Sequence, residues 1–451
     1  MNAYPSAAAI AQSVRVGQRS AVQVATEALR AMAKAGRDLC AATVILEERA
    51  LAQAARVDAL VASGRDPGPL AGVPFGVKDL FDVAGLPTTV GAAMLRDAPP
   101  AARDAEAIMR LEAAGAVLVA TLNMDAFAYG FATINAHFGT TRNPHDPDRI
   151  AGGSSGGSAA VVAAGIVPFS LGSDTNGSIR VPSALCGTFG LKPTHGGLPM
   201  QGVYPFVDSF DDIGPFARTV ADLKLIWDVL GGEAPPASGQ RVARLGGWFA
   251  ANVSDELAAG IDSVAAHLGG IDTIELPRVD AARSAAFLMT AAEGGALHLP
   301  ELRRRPLEYD PAVRDRLIAG AMLPATAYVE AQRFRAWFCE QVARVFDRYD
   351  VLIAPAAGVA APPIHDPTIL VNGERVPARA HLGLYTQPIS FIGLPVVSVP
   401  LFRPGALPLG LQLIGRPHGE RALFDFAARL EAEELIGAAS PARTDRYGAS
   451  A

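Results

Sequence analysis

Two serines and a lysine stand in short motifs that could bring a nucleophile and a base together. Lys78 follows an apolar run in GVPFGVKDLFD, and Ser154 and Ser178 lie in the clusters GGSSGGS and GSDTNGS. A serine hydroxyl is a weak nucleophile at neutral pH and needs a base to take its proton. No histidine stands within either cluster, but a lysine can be that base when burial lowers its pKa. The motifs therefore suggest a Ser-Ser-Lys set that cleaves an amide-type bond.

The segment around Ser178 also offers a place for the charge that such a reaction develops. GSDTNGS has the composition of a tight turn whose backbone N–H groups could converge on one point. Donors placed where a tetrahedral intermediate gains its negative oxygen form an oxyanion hole, commonly worth ~3 kcal/mol per donor. A helix that begins near Ser178 and contains Pro182 would add its positive end to the same field.

Each motif taken alone has a plainer interpretation. A cluster such as GGSSGGS is often a loop without chemistry, and a lysine at a strand end is usually solvated. The glycine spacing matches neither a nucleoside triphosphate loop nor a dinucleotide-binding turn. Asp79 would favour the charged form of Lys78, although adjacent strand residues point to opposite faces. Only the combination of the three motifs indicates catalysis.

Alternating strands and helices must position these side chains. The apolar run before Lys78 predicts a strand that carries this lysine near its end, and residues 156–165 predict a small-residue helix between the serine clusters. The alternation continues to about residue 230 and favours an α/β fold, a mixed or parallel sheet with helices on both faces. We expect residues 1–65 to form helices packed on a catalytic region, residues 66–451, within a single domain.

Composition narrows the function classes. A net charge of -6 argues against nucleic acid as a direct partner. The three cysteines are too few and too scattered for a disulfide framework or a cysteine zinc site, and the eight histidines show no metal-binding spacing. We therefore expect no metal and a reducing cytoplasm. The charge-free stretch 150–173 contains glycines, serines and a proline, so we expect it in the core rather than in a membrane.

Three motifs in this order carry a specific resemblance. GVPFGVKD, GGSSGGS and GSDTNGSIRVPSALCGTFGLKPT resemble the signature of the amidase signature family of serine hydrolases, most strongly over residues 70–220. The resemblance implies a single α/β domain with a large mixed β-sheet sandwiched between helices. It also implies hydrolysis of C–N bonds other than peptide bonds through an acyl-enzyme, without a metal or an organic cofactor.

The resemblance also assigns roles to individual residues. It implies that Ser178 is the nucleophile, that Ser154 relays protons after a cis peptide bond to Gly153, and that Lys78 is the general base. The same alignment of motifs implies an oxyanion hole formed by the backbone N–H groups of Thr175, Asn176, Gly177 and Ser178.

Within the family, the chain is most similar to a subgroup whose substrate is 1-carboxybiuret. The segments LNMDAFAYGF and LYTQPISF carry this similarity, and Asn176 agrees with the subgroup where many amidases have glycine or alanine. Two positions depart from it: Ile134 stands where glutamate is usual, and Gly197 stands where arginine is usual. The resemblance implies a small urea-type substrate and release of ammonia.

An anionic substrate of this kind should need a cation or several hydrogen-bond donors. We take Arg304 as the candidate cation, with Arg303, Arg305 and Arg180 as further candidates, and surface or structural contacts remain an alternative for each. Tyr129 and Gln387 are our candidates for polar residues that face the substrate, although either could simply form part of a cleft wall.

Three other functions stay open at this point. The chain could be the glutaminase subunit of a tRNA-dependent amidotransferase, a generic amidase of small amides, or a catalytically silent scaffold. Both the biuret-type and the amidotransferase resemblance imply a larger assembly that contains a small helical partner subunit. Neither implies that this chain itself contacts nucleic acid or a membrane.

Overall fold

The computed structural model describes residues 5–235, 240–438 and 441. The predicted regions 1–65 and 66–451 are thus covered except for residues 1–4, 236–239, 439–440 and 442–451. The strands are β1 Ala42–Ile45, β2 Pro74–Lys78, β3 Val117–Leu122, β4 Ile134–Asn135, β5 Gly139–Thr140, β6 Arg142–Asn143, β7 Asp146–Ile150, β8 Phe169–Asp174, β9 Phe189–Lys192, β10 Asp212–Ala217, β11 Val242–Leu245, β12 Asp272–Ile274, β13 Val351–Pro355, β14 Thr368–Val371, β15 Glu374–Pro377, β16 Val396–Pro400 and β17 Gly410–Gly415. The helices are α1 Ala7–Arg15, α2 Ala21–Ala31, α3 Glu47–Ala62, α4 Glu106–Ala113, α5 Gly156–Ala163, α6 Arg180–Cys186, α7 Val220–Val229, α8 Asp255–His267, α9 Val279–Arg304, α10 Pro311–Ala321, α11 Ala325–Phe346, α12 Ala378–His381, α13 Gln387–Ser390 and α14 Glu420–Ala432.

Eleven of these strands form one sheet, in the order β1-β3-β2-β8-β10-β9-β16-β17-β13-β11-β12. Four neighbouring pairs are parallel, namely β2–β3, β2–β8, β11–β12 and β11–β13, and the other pairs are antiparallel. The central strands are buried along their whole length, as expected for strands covered on both faces. Helices flank the sheet, which confirms the predicted α/β class with a large mixed sheet.

Because β2 and β8 pair in parallel, the motifs at their carboxyl ends lie side by side. Lys78 is the last residue of β2, as the apolar run predicted. Val77 pairs with Leu171 in β8, so the strand that leads to GSDTNGS runs beside the strand that ends at Lys78. The small-residue helix α5 precedes β8, and all eight of its residues are buried. This packing explains why the charge-free stretch is rich in glycine, serine and alanine.

The first 65 residues contain more than helices. α1, α2 and α3 were expected, and Ser20 caps α2 through a bond from the Gln23 N–H. The strand β1 was not expected: it pairs antiparallel with β3 at the edge of the main sheet. Its four residues are only partly buried or exposed, so the sequence shows no apolar run there.

Three helices lie between residues 279 and 346, and two of them pack against α9. α9 packs against α10, α11 and the short α13, and Pro324 immediately precedes α11. Through these contacts, helices far along the chain reach the region of the serine clusters. Within the described ranges, no helix has the length and apolar character needed to cross a membrane.

Candidate active site

Lys78 lies at the centre of a buried hydrogen-bonded cluster. Its Nζ is 2.7 Å from Ser154 Oγ and 2.8 Å from Ser173 Oγ, and its side chain has no solvent exposure. The N–H of Ser155 donates to the carbonyl of Ser178 at 3.3 Å, which links the two serine clusters. The structure thus brings together the lysine and both serines that the sequence singled out, and adds Ser173 as a second partner of the lysine.

Burial sets the protonation of this lysine. Desolvation penalises the ammonium and lowers the pKa of Lys78 to about 7, while the negative charges of Asp125, Asp174 and Asp211 act in the opposite direction. Asp79 is not one of these charges. Its carboxyl accepts a hydrogen bond from Thr89 Oγ1, and burial raises its pKa to about 7. Lys78 is therefore able to exchange a proton near neutral pH.

The segment around Ser154 is held by Asp125 and Thr133. The peptide bond between Gly153 and Ser154 is cis, which confirms that expectation. The N–H of Asp125 donates to the Ser154 carbonyl at 3.2 Å, and Asp125 Oδ2 accepts from the N–H groups of Ala132 and Thr133. Gly153 has no room for a side chain, because a Cβ there would lie 2.2 Å from Asp125 Oδ2.

The turn that leads to Ser178 is organised by Asp174. Its carboxylate accepts from the N–H groups of Gly177 at 2.6 Å and Ile179 at 3.1 Å. It also binds the buried Arg180 guanidinium at 2.9 Å. Gly177 has φ +132°, and a Cβ there would lie 2.1 Å from Thr386 Oγ1. α6 begins at Arg180 and contains Pro182, so Ser178 stands just before this helix.

Three of the four predicted oxyanion donors are free to bind a ligand. Among the described residues, no acceptor lies against the N–H of Thr175, Asn176 or Ser178, whereas Gly177 donates to Asp174. The turn is also held from outside: Thr175 Oγ1 donates to Asp211 Oδ1 at 2.6 Å. Burial raises the pKa of Asp211 to about 6.

A narrow cleft opens at this turn. Its volume is about 20 Å³. The cleft is lined by Ala128, Tyr129, Gly130, Phe131, Thr175, Asn176, Ser178, Phe206, Phe287, Thr290, Arg316 and Gln387. A larger cavity of about 650 Å³ lies elsewhere and includes Gly197, but none of the residues of the lysine–serine cluster. The narrow cleft is the candidate active site, because Ser178 and the free N–H donors line it.

The candidate substrate residues are divided between cleft and surface. Tyr129 and Gln387 line the cleft. Arg304 does not: its side chain is 75% exposed and bonds Glu301. Arg305 bonds the same glutamate, and Arg180 is committed to Asp174. Arg304 is therefore not placed to bind a substrate in this cleft.

The cation in the cleft is Arg316, which the sequence analysis did not single out. Its guanidinium carbon lies 3.6 Å from the centre of the Tyr129 ring, and its Nη1 donates to the Tyr129 carbonyl at 3.1 Å. A second arginine, Arg283, donates to Gln387 Oε1 at 3.1 Å. Burial lowers the pKa of both guanidinium groups. Among the residues described, neither arginine forms an ion pair within 4.0 Å, and the negative charge of Asp125 acts on Arg316 from farther away.

No cluster of three or more histidine, cysteine, aspartate or glutamate side chains suited to a metal occurs in the described part of the chain. The buried His298 illustrates this: its Nδ1 contacts Tyr309 Oη at 3.1 Å, within a group of aromatic rings.

A family model described as amidase matches residues 23–424. The chain belongs to the amidase signature family. This amidase is 46% identical to AtzE, a 1-carboxybiuret hydrolase subunit of Pseudomonas sp. strain ADP, over 91% of its own length and 94% of that protein. It also matches a chain in the inhibitor-bound structure of an s-triazine catabolic enzyme, a vestigial protein complex, with a TM-score of 0.92. That match has 44% identity and covers 96% of this chain and 100% of the other.

The amidase is also similar to amidotransferase subunits. It is 35% identical to a glutamyl-tRNA(Gln) amidotransferase subunit from Moorella thermoacetica, over 85% of this chain and 87% of the relative. These matches show that the protein is an amidase signature hydrolase that acts on C–N bonds, and they confirm the resemblance stated from the motifs.

Proposed function

We propose that this amidase hydrolyses a C–N bond of a small anionic urea-type compound, with 1-carboxybiuret as the leading candidate, and releases ammonia. The observation that carries the proposal is the position of Lys78. A lysine with a pKa near 7 contacts Ser154 beside a cleft that Ser178 and an unpaired arginine line. The similarity to the 1-carboxybiuret hydrolase subunit supports the choice of substrate.

The proposed reaction uses Ser178 as nucleophile. Neutral Lys78 takes the proton of Ser154 Oγ while Ser154 takes that of Ser178, and Ser178 Oγ attacks the carbonyl carbon. The N–H groups of Thr175 and Asn176, with that of Ser178 itself, stabilise the resulting oxyanion. The tetrahedral intermediate collapses, the C–N bond breaks, and the leaving nitrogen receives the proton back through Ser154. Water then attacks the acyl-enzyme by the same route and releases the acid product.

Arg316 is the proposed binding group for the substrate carboxylate. A guanidinium presents paired donors that match the two oxygens of a carboxylate, and such charge-assisted bonds are stronger than neutral ones. Stacking on Tyr129 fixes the plane of the Arg316 guanidinium. The charge of Arg283, held by Gln387, adds to the same positive field. Both arginines lack a carboxylate partner in the described structure, so an anionic ligand would supply one.

A glutaminase is the second candidate, because the amidotransferase subunits are also similar to this chain. Glutamine has a carboxylate, which Arg316 could bind, and an ammonium group, which needs an acceptor of negative charge. None of the described residues that line the cleft is acidic. This composition favours a urea-type anion over an amino acid.

We also propose a larger assembly in the cytoplasm, in which this chain binds a small helical partner subunit. The similar s-triazine enzyme structure is a protein complex, which supports the partnership. Purification of the native protein from its host tests this: we expect a second, smaller chain to co-purify in a stable ratio. An active chain that purifies alone would contradict the proposal.

Ammonia release from 1-carboxybiuret, glutamine and a neutral aliphatic amide tests the function. We expect 1-carboxybiuret to have the highest kcat/KM and Ser178→Ala to remove turnover of every substrate. Arg316→Met should raise KM for 1-carboxybiuret about 10- to 100-fold, since a hydrogen bond to a charged group is worth about 1.5–3 kcal/mol. The same substitution should leave KM for the neutral amide nearly unchanged.

Arg314→Met is the matched control, because Arg314 lies on the same helix and bonds Asp315 instead of facing the cleft. Unchanged turnover in Ser178→Ala would rule out the mechanism. Preference for glutamine would support the glutaminase function instead.

A further inference from the structure

Asn176 has a side-chain acceptor that no group in the described part of the protein uses. The residue lines the cleft two positions before Ser178 and is 6% exposed. Its Nδ2 donates to Thr290 Oγ1 at 2.7 Å. Its Oδ1 is buried and has no hydrogen-bond partner among the described residues. Buried polar atoms are almost always paired, so an unpaired one in a binding cleft calls for an explanation.

The hydroxyl of Thr290 orients this amide. Thr290 donates its only hydroxyl proton to the Ala286 carbonyl, at 2.8 Å, within α9. With its proton on that carbonyl, Thr290 Oγ1 accepts a hydrogen bond from Asn176 Nδ2. If the amide were turned by 180°, the Thr290 hydroxyl would have to give up the Ala286 carbonyl in order to donate to the amide oxygen. The threonine therefore leaves Asn176 Oδ1 as the unpaired atom.

Asn176 thus offers a donor and an acceptor side by side. Its backbone N–H is free and belongs to the turn that would bind the carbonyl oxygen of a substrate, and its Oδ1 lacks a donor among the described residues. The other amide in the cleft is less available, because Gln387 Oε1 already accepts from Arg283. A donor and an acceptor on one residue complement a carbonyl oxygen and an N–H on the neighbouring atom.

We propose that Asn176 Oδ1 accepts a hydrogen bond from an N–H that flanks the scissile carbonyl on its acyl side. Ureas, biurets and other N-carbamoyl compounds have a nitrogen there, whereas simple carboxamides have a carbon. Asn176, oriented by Thr290, thereby selects urea-type compounds over carboxamides. This inference rests on the proposed function, whose substrate class it specifies. A site built to receive a hydrogen bond discriminates strongly against an analogue that lacks the group, because its own polar atom stays unpaired.

N-carbamoylglycine and succinamate test the inference directly. They have the same carboxylate, the same terminal amide and the same length, and differ by an N–H in place of a CH₂ beside the carbonyl. Their affinities are measured by titration calorimetry with Ser178→Ala, which binds without turnover. We expect N-carbamoylglycine to bind at least 10-fold more tightly than succinamate. In the double variant Ser178→Ala with Asn176→Ala, the affinities for the two ligands should differ by no more than about 3-fold.

Thr290 provides a matched pair of variants in the same background. Thr290→Val keeps the shape of the side chain but removes the hydroxyl, so the amide of Asn176 can turn and the preference should fall. Thr290→Ser keeps the hydroxyl and should keep the preference. A purely structural role of Thr290 would change both affinities together and leave their ratio unchanged. If Asn176→Ala does not fold, the Thr290 pair still decides the question.

Equal binding of the two ligands to Ser178→Ala would overturn the inference, and so would failure of both ligands to bind. A preference that survives both Asn176→Ala and Thr290→Val would also overturn it. The proposed function fails separately, if the unaltered protein releases no ammonia from 1-carboxybiuret while the binding preference is present.

Discussion

Lys78 is enclosed by groups that pull its pKa in opposite directions. Burial favours the neutral amine, and three buried aspartates favour the ammonium, which leaves the pKa of Lys78 at about 7. Hydrogen bonds hold its Nζ against Ser154 Oγ and Ser173 Oγ. A base with a pKa close to the working pH combines a large deprotonated fraction with a strong tendency to accept a proton. If Lys78 is the base, as we propose, the environment of this one residue sets the pH range of activity.

The pH dependence of activity should reflect this lysine. Only neutral Lys78 can accept a proton, so kcat/KM should rise about tenfold per pH unit below 7 and level off above it. Asp125→Asn removes a negative charge that favours the ammonium. The pKa of Lys78 should fall, and the midpoint of the rise should move to lower pH. The measurement is a pH profile of kcat/KM for ammonia release. A midpoint above pH 9, the range of an ordinary lysine, would contradict the assignment.

Sequence motifs located Lys78, Ser154 and Ser178, because their residue types and spacing are unusual. They did not locate Asp125 as a charge that acts on Lys78, or Arg316 and Asn176 Oδ1 as parts of the cleft. An aspartate or arginine is common in any sequence, and only its partners in the fold show whether it is free. Arg304 illustrates the difficulty, since three consecutive arginines suggested an anion site, yet Arg304 and Arg305 bond Glu301 at the surface.

At the scale of elements, the turn between β8 and α6 is held by contacts on several sides. Asp174 gathers two N–H groups of the turn, and Thr386 Oγ1 donates to the Asn176 carbonyl at 2.6 Å. Gly177 is required twice: its φ of +132° is unfavourable for other residues, and no side chain fits beside Thr386. The orientation of the free N–H donors therefore depends on one glycine.

Gly177→Ala should destabilise the protein by at least about 2 kcal/mol, through backbone strain and overpacking. Its kcat should fall more than tenfold, because the oxyanion donors shift. Gly373→Ala is the control: Gly373 has φ +81° but open space around it, so only strain of about 1 kcal/mol is expected, with unchanged kcat. Urea unfolding and ammonia release measure the two effects. Equal behaviour of the two variants would show that the turn tolerates a side chain.

The sequence predicted these elements to different degrees. β2 follows from its apolar run and α5 from its small residues, and the α/β class follows from the alternation of strands and helices. β1 escaped notice because an edge strand of four partly exposed residues has no apolar run. The position of α9 against the cleft also could not be read from the sequence. Thr290 meets Asn176 across 114 residues, and local pattern contains no information on that contact.

At the scale of the whole molecule, one buried arginine joins early and late parts of the chain. Arg180 binds Asp174 in β8, Gln412 Oε1 in β17 at 2.8 Å and the Thr386 carbonyl at 3.0 Å. Burial alone would raise the pKa of Asp174, but the Arg180 guanidinium holds it below its ordinary value of 3.8. The stabilisation from this carboxylate is therefore present above pH 3.8 and is lost as the pH falls below it. We propose that this link helps the chain to behave as one domain.

Arg180→Met should lower the free energy of unfolding by about 3–5 kcal/mol, because it leaves the Asp174 charge buried without its partner. The double variant Arg180→Met with Asp174→Asn should recover part of this loss, since no uncompensated charge remains. Urea unfolding can be followed by two signals, circular dichroism and tryptophan fluorescence. The fluorescence comes from Trp227 in α7, Trp248, and Trp337 in α11. If the link joins one domain, both signals should shift together. A variant in which only one signal shifts would instead indicate that the early and late parts of the chain unfold independently.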